Sequence, residues 1–306
     1  MHFSAFFLLL LDLPITATCI LLPKKQIHAS LKNQGQQVME SFAVGSLAIP
    51  TRPFFFLVAV LGALAVGNRL AKRSGMEVER ALWSVLFVGV ASARLAFVLI
   101  YWPSYIGRPW TVLDLRDGGM NVVVGIAGAI FMALFLAVRN RPQRRPILAS
   151  LMVGLALWGA MTTALQAGKA TTPIPAITLP DLGGKSVALQ SFTGKPVIIN
   201  LWASWCPPCR REMPVLQEAQ KTHKDIIFVF ANQGESADAV RAYLIAHALQ
   251  MENVLIDRHG AIAKQARAAG LPTTLFFDRH GTLVDTRIGE LSHASLEERL
   301  TKLVSP

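Results

Sequence analysis

Long uncharged segments in the first half of the chain restrict its fold more than any other feature. Apolar runs cover residues 54–68, 118–138 and 146–168, and a fourth covers residues 81–107 with Arg94 as its one charge. Each run approaches the roughly 20 residues that a helix needs to cross a bilayer, the first being the shortest. The sequence therefore predicts an α-helical transmembrane domain of about four spans within residues 39–168.

The charge distribution predicts how these helices are oriented. The net charge is +11, and residues 1–169 hold 16 of the 30 Lys and Arg but only 6 of the 19 Asp and Glu. These basic residues cluster in the loops after the first and third runs, which we therefore expect to be cytoplasmic. An even number of spans then places residues 170–306 in the periplasm of a bacterial inner-membrane protein. The same pattern indicates membrane lipid, and not nucleic acid, as a partner.

Arg94 is a candidate site residue within the membrane domain. An arginine inside a span is costly unless it is paired or reaches the interface, so such a residue is a functional candidate by default. The alternative is that Arg94 lies in the outer half of its helix and reaches the interface. The sequence leaves both interpretations open.

The N-terminal residues 1–38 do not fit this topology. Residues 3–22 are apolar, but no Lys or Arg precedes them and Lys24, Lys25 and Lys32 follow. That order of charges opposes the orientation that the other loops indicate. We therefore expect translation to start at Met39, with residues 1–38 outside the working protein.

Four segments of the membrane half carry a family resemblance: Phe42–Ile49, Ala93–Val98, Asp117–Met120 and Gly125–Ala129. They are similar to the N-terminal part of prolipoprotein diacylglyceryl transferases. That family has His-Gly-Gly after its Gly-Gly-Met, where this chain has Val123-Val124-Gly125, and no histidine occurs between His28 and His223. A transferase activity therefore lacks its usual general base, and the resemblance implies a scaffold, an anchor or a partner-docking unit.

The second half contains a C-x-x-C motif, Cys206 to Cys209, and the chain's only other cysteine is Cys19. The motif follows the apolar run 197–202 and precedes a helix-like segment, a context that indicates redox chemistry. Helix amides aimed at Cys206 would favour its thiolate, the nucleophile of disulfide exchange. Half of a zinc site and a purely structural disulfide are the alternatives; the first lacks further thiol ligands and the second closes a very short loop.

Residues 176–306 show the alternation of strand and helix patterns that is typical of an α/β domain. The predicted strands are residues 197–202, 226–231, 253–256, 273–277 and 282–288. The predicted helices are residues 208–222, 237–248, 261–268 and 295–303. A proline-containing linker, residues 169–175, would join this domain to the membrane half.

Several motifs in this domain resemble one branch of the thioredoxin superfamily. They are Asn200–Trp205 before the cysteines, Arg210–Pro214 after them, Asn232–Ser236 and Gly270–Thr274. Together they are similar to the membrane-anchored TlpA/ResA/CcmG type of thiol-disulfide oxidoreductase, over residues 176–304. The segment 176–189 resembles the extra N-terminal hairpin of that type.

The resemblance implies roles for the residues around the dithiol. Cys206, exposed at the helix start, would attack, and Cys209 would resolve the mixed disulfide, so that a redox-active Cys206–Cys209 disulfide forms. Pro272 is expected to be the cis-proline that faces the cysteine pair. The backbone of Leu271 and the side chain of Trp205 would bind the substrate.

Proton transfer is expected to involve Glu212. Thioredoxins proper carry a buried aspartate six residues before the first cysteine, and Asn200 occupies that place here. Glu212 lies three residues after Cys209, about one helical turn on, and matches the acid of the TlpA/ResA type. The alternative is an exposed glutamate paired with Arg211 or a lysine.

These observations predict a periplasm-facing protein-disulfide reductase with no cofactor and no metal. Disulfide-containing periplasmic proteins are its expected partners, with cytochrome c or copper-delivery maturation as examples. The four spans contain no cysteine, so a separate donor, such as a DsbD-like membrane protein, would recharge the dithiol. A thiol oxidase, a redox-sensing assembly module and a diacylglyceryl transferase-like enzyme are the alternatives.

Overall fold

The structure, a computed structural model, describes residues 41–44, 47–106, 109–114, 118–167 and 172–304. The N-terminal extension and residues 169–171 of the predicted linker lie outside the described residues. Two short antiparallel strands, β1 (Ser41–Val44) and β2 (Leu47–Pro50), open the described chain. They fall in the segment that resembles the transferases, and the sequence analysis assigned no strand there.

Four long helices follow, as the apolar runs predict: α1 (Thr51–Arg73), α2 (Glu79–Ile100), α3 (Val122–Arg139) and α4 (Arg144–Ala167). Each is long and apolar enough to cross a membrane. Helix α1 packs along α4, and α2 packs along α3. Each helix extends beyond its apolar run at one end or at both, because charged residues at helix ends can reach the interface.

Small residues allow α2 and α3 to approach closely. A Cβ atom added to Gly125 would lie 2.8 Å from the Cβ of Ala93, and one added to Gly89 would lie 3.1 Å from the Cβ of Ala129. Packing through small residues is the usual way in which helices associate in lipid. Large apolar side chains such as Phe87 point outward instead, with 73% of its surface exposed, as a lipid-facing surface requires.

The C-terminal domain begins with a hairpin and continues as alternating strands and helices. Its strands are β3 (Thr178–Pro180), β4 (Ser186–Ala188), β5 (Val197–Trp202), β6 (Ile227–Gln233), β7 (Val254–Asp257), β8 (Thr273–Phe277) and β9 (Leu283–Ile288). Its helices are α5 (Pro207–Thr222), α6 (Ala237–Ala246), α7 (Ala261–Ala266) and α8 (His293–Val304). These bounds agree with the predicted elements to within a few residues, and the expected extra hairpin is present.

Five of these strands form one mixed sheet in the order β7-β6-β5-β8-β9. Strand β5 is parallel to β6 and antiparallel to β8. All six residues of β5 are buried, and they alternate between two apolar clusters. Ile198 and Trp202 pack with α5, α6 and α8, whereas Ile199 and Leu201 pack with the opposite layer. Helices therefore cover both faces of the sheet, and β5 runs directly into the cysteine motif.

Candidate active site

Cys206 and Cys209 form a disulfide at the start of α5, with an S–S distance of 2.09 Å and a Cα–Cα distance of 5.3 Å. Cys206 is the N-cap residue of the helix, and its sulfur accepts a hydrogen bond from the backbone amide of Cys209 at 3.3 Å. The helix therefore begins where the sequence predicts, with its positive end at the Cys206 sulfur.

The expectation that Cys206 is exposed is wrong. Cys206 is 3% exposed and Cys209 is fully buried, and both belong to the core cluster around Trp202 and Met213. The disulfide draws the Cys206 sulfur toward the buried Cys209, which leaves little of it at the surface. The adjacent Trp205 is 66% exposed. The surface beside the disulfide is thus a large aromatic side chain.

The Leu271–Pro272 peptide bond is cis, as the resemblance predicts. It immediately precedes β8, whose first residue, Thr273, pairs with Leu201 near the end of β5. Because β5 and β8 are antiparallel, the start of β8 lies at the sheet edge from which the cysteine motif departs. Pro272 is buried, and Leu271 is half-buried between the two core clusters.

Glu212 is fully buried on the side of α5 that faces the sheet. The alternative interpretation, an exposed glutamate paired with Arg211 or a lysine, is therefore wrong. Its two carboxylate oxygens accept hydrogen bonds from the Asn200 side chain at 2.8 Å and from the Leu291 backbone amide at 3.0 Å. Arg211 instead pairs with Glu290, at 2.6 Å. The helix thus turns Glu212 toward the sheet and Arg211 away from it.

A row of side chains across the sheet surrounds this carboxyl group. Asn200 of β5 pairs with Thr274 of β8, which pairs with Arg287 of β9. The Asn200 amide also donates to the Thr274 hydroxyl, at 3.0 Å. Asn200 alternates with Leu201 along β5, so it lies on the face covered by α5. The sequence motifs point to Asn200 but not to Arg287 or Leu291, because no local pattern links these two residues to Glu212.

Burial raises the pKa of Glu212 to about 8. The hydrogen bonds from Asn200 and Leu291 oppose this shift, as does the positive charge of Arg287, while the nearby Glu290 carboxylate adds to it. Burial dominates because it removes water from the charged form. At neutral pH the carboxyl group therefore retains its proton when the disulfide is closed.

A second carboxylate, Glu235, fixes the segment before the cysteines, and the sequence analysis assigned it no role. It accepts hydrogen bonds from the Ser204 amide at 2.7 Å, from the Ser204 hydroxyl, and from the Asn232 side chain at 2.7 Å. The sequence signal for Glu235 is its position within the motif Asn232–Ser236, which is one of the segments that resemble the thioredoxin superfamily. Glu235 therefore joins the end of β6 to the residue two positions before Cys206.

Arg94 belongs to a different part of the molecule. It is 8% exposed and donates to the backbone carbonyls of Thr111, Val112, Asp114 and Gly119 at 2.8–3.2 Å. These carbonyls lie in the α2–α3 loop, of which the structure describes residues 101–106, 109–114 and 118–121; the name α2–α3 loop refers to these residues. Arg94 thus reaches beyond its helix and organises the loop that follows it.

Two families match the chain, one in each half. Redoxin matches residues 169–300, and prolipoprotein diacylglyceryl transferase matches residues 40–162. The thioredoxin-like protein YneN of Bacillus subtilis is 32% identical over 50% of this chain and 94% of its own. The thiol-disulfide oxidoreductase ResA of Bacillus thuringiensis subsp. konkukian is 30% identical over 54% of this chain and 98% of its own.

Solved structures match the same half of the chain. A thioredoxin-family thiol:disulfide interchange protein from Chlorobium tepidum has a TM-score of 0.40 and 25% identity, over 44% of this chain and 98% of its own. The disulfide described above lies within the matched Redoxin region. The chain therefore belongs to the ResA-type thioredoxin-like thiol-disulfide oxidoreductases, joined to a membrane domain that matches prolipoprotein diacylglyceryl transferase.

Proposed function

We propose that this protein is a membrane-anchored reductase whose redox domain faces the periplasm and reduces disulfides in specific partner proteins. The observation that carries the proposal is the Cys206–Cys209 disulfide at the start of α5, with a buried carboxyl group one turn further along the helix. The membrane domain, residues 39–168, would anchor it, and residues 169–175 would join it to the redox domain at 176–306.

The basic loops support this orientation. Arg69, Lys72, Arg73 and Arg80 lie at the ends of α1 and α2, and Arg139, Arg141, Arg144 and Arg145 lie at the ends of α3 and α4. Loops rich in Lys and Arg stay in the cytoplasm. Four spans then return the chain to the opposite side, where the redox domain follows.

The reaction transfers two electrons to the partner. The Cys206 thiolate attacks one sulfur of the partner's disulfide, which forms a mixed disulfide and releases the partner's other sulfur as a thiolate. Cys209 then loses its proton and attacks the Cys206 sulfur. The partner's second sulfur leaves as a thiolate, and the Cys206–Cys209 disulfide remains. The two partner thiolates take up protons from water.

Glu212 would hold the proton that Cys209 exchanges. When a donor reduces the disulfide, the protonated carboxyl group supplies a proton to the Cys209 thiolate. When Cys209 later attacks Cys206, the carboxylate takes that proton back, so Glu212 is unchanged over the cycle. Trp205 and the backbone at Leu271, beside cis-Pro272, would hold the partner's segment.

The electron donor and the partners follow from the position of the dithiol. The spans contain no cysteine, so they cannot relay electrons through thiols. A DsbD-like membrane protein is the donor that we propose. Partners would carry a dithiol that must stay reduced outside the cytoplasm, as in the haem-binding motif of an apocytochrome c or a copper-delivery protein.

Insulin reduction by the full-length protein in lipid nanodiscs tests the redox assignment. We expect Cys206→Ser to abolish it, because the attacking sulfur is lost. Cys209→Ser should accumulate a mixed disulfide with the partner, which mass spectrometry then identifies. Undiminished insulin reduction by Cys206→Ser would contradict the proposal.

A further inference from the structure

The α2–α3 loop contacts the redox domain directly. Ala294, in the first turn of α8, is 2% exposed and belongs to an apolar cluster with Phe97 and Val98 of α2 and Tyr105 of the loop. Tyr101 packs against the edge of this cluster. Four spans place this loop and the C-terminal domain on the same side of a membrane, whichever way the chain is inserted.

A residue of the membrane domain, Arg94, holds the loop in shape. Four of its backbone carbonyls accept hydrogen bonds from the single guanidinium of Arg94. The guanidinium also lies 5.7 Å from the centre of the Phe97 ring and 5.8 Å from that of Tyr105. A planar fork of five donors fixes several carbonyls at once. The described part of the loop is therefore a preorganised surface, which reduces the entropic cost of docking.

This contact involves Arg287, one of the residues that surround the buried Glu212 carboxyl group. The Arg287 guanidinium rests against Gly118 of the loop, so that a Cβ atom added to Gly118 would lie 2.8 Å from its Nη1. The same Arg287 lies in the row that flanks Glu212, and its charge acts on that carboxyl group. Glu290 and the Leu291 amide, which also face Glu212, lie between Arg287 and the docked Ala294.

We propose that the α2–α3 loop is a docking platform for the redox domain of the same chain, and that docking fixes the position of Arg287 next to Glu212. The part of the redox domain that docks on the loop is the surface formed by Arg287 and Ala294. The coupling to Glu212 rests on the function proposed above, whereas the docking itself does not. The membrane domain would thus be a structural part of the redox site as well as an anchor.

Docking can change the environment of the Glu212 carboxyl group only through the polar and charged groups that face it. They are the Asn200 amide from β5, Arg287 from β9, and the Glu290 carboxylate with the Leu291 amide from the turn before α8. Of these, Arg287 touches the loop, at Gly118. If the domain undocks, the guanidinium can turn into water and its attraction for the Glu212 carboxylate weakens.

Photo-crosslinking tests the docking. In the full-length protein in lipid nanodiscs, p-benzoylphenylalanine at position 101 should form a cross-link to the peptide that contains Ala294, identified by mass spectrometry. Ala294→Gln should remove most of this cross-link, because the larger side chain cannot enter the cluster. Val304→Gln, at a half-exposed position on the same helix, is the matched control and should retain it. Absence of the cross-link in the otherwise unchanged protein would overturn the docking, while leaving the dithiol function intact.

The coupling is tested by the pH dependence of insulin reduction. Gly118→Val should move the midpoint that depends on Glu212 upward by about 0.5 pH unit, since one attractive charge is withdrawn. Gly75→Val is the matched control, because both glycines have positive φ but a Cβ atom on Gly75 would meet nothing within 4 Å. Gly118→Val lies outside the redox domain's core and serves if Ala294→Gln fails to fold. An unchanged or lower midpoint, with the cross-link reduced, would overturn the coupling.

Discussion

Asn200 and Glu212 form one buried hydrogen-bonded pair that joins β5 to α5. The titratable group lies on the helix that carries the cysteines, and the strand supplies a neutral amide that donates a hydrogen bond to it. A carboxyl group in this position is buried by the same packing that buries Cys209. Its raised pKa is therefore a consequence of the core, to which Arg287 and Glu290 add smaller contributions.

Glu212→Gln should make the protein more stable at high pH. The pKa of Glu212 is about 8 in the folded protein against 4.5 as a free side chain, so folding favours the protonated form. That contribution is complete below pH 4.5 and is lost as the pH rises through 8. The variant, which cannot ionise, should lie within about 1 kcal/mol of the parent protein at pH 5 and exceed its free energy of unfolding by up to about 4 kcal/mol at pH 8.

Thermal unfolding at pH 5 and pH 8 measures this difference, and the rate of disulfide reduction measured alongside should lose its inflection near pH 8 in the variant. Glu218→Gln, at an exposed position on the same helix, is the control. Equal pH dependence of stability in parent and Glu212→Gln would contradict a protonated Glu212.

Glu235→Ala should loosen the segment before Cys206. The substitution leaves the Ser204 amide and the Asn232 side chain without their acceptor, and an unsatisfied polar group in a partly buried site costs about 1–3 kcal/mol. Asp238→Ala, which removes an exposed ion pair on the next helix, should cost less than about 1 kcal/mol. Chemical denaturation measures the free energy of unfolding of both variants. Similar losses of stability in the two would argue against this role for Glu235.

At the scale of elements, strands and helices of the redox domain could be predicted because burial repeats along them. Strand β5 is apolar at every position except Asn200, and α5 begins at the cysteine that caps it. The environment of Glu212 could not be predicted, because Leu291 lies 79 residues further along the chain. The burial of Cys206 was likewise missed, since it depends on closure of the disulfide.

The α2–α3 loop is the element whose order depends most on one residue. Arg94→Lys should increase amide hydrogen exchange in the loop about tenfold or more, because a lysine ammonium cannot span the four carbonyls that the guanidinium joins. Hydrogen exchange with mass spectrometry in nanodiscs measures this, with Arg80→Lys in the exposed first turn of α2 as the matched control. Equal protection in both variants would show that the loop does not depend on Arg94.

At the scale of the whole molecule, the orientation can be tested by labelling. In a variant with all three cysteines replaced by serine, a membrane-impermeant maleimide should label Lys302→Cys in spheroplasts. Ser74→Cys, between α1 and α2, should be labelled only after lysis, because that loop is basic and should be cytoplasmic. The opposite pattern would place the redox domain in the cytoplasm and contradict the proposed function.

The Cys206–Cys209 disulfide at the start of α5 has a kinetic consequence for the function proposed above. Because the spans contain no second dithiol, the proposed donor and the proposed partner would use the same sulfur in alternate half-reactions. Such an enzyme follows substituted-enzyme (ping-pong) kinetics, with parallel lines in double-reciprocal plots. The two proteins then compete for one surface. An excess of either should inhibit turnover, because it also binds the redox state of the enzyme with which it cannot react.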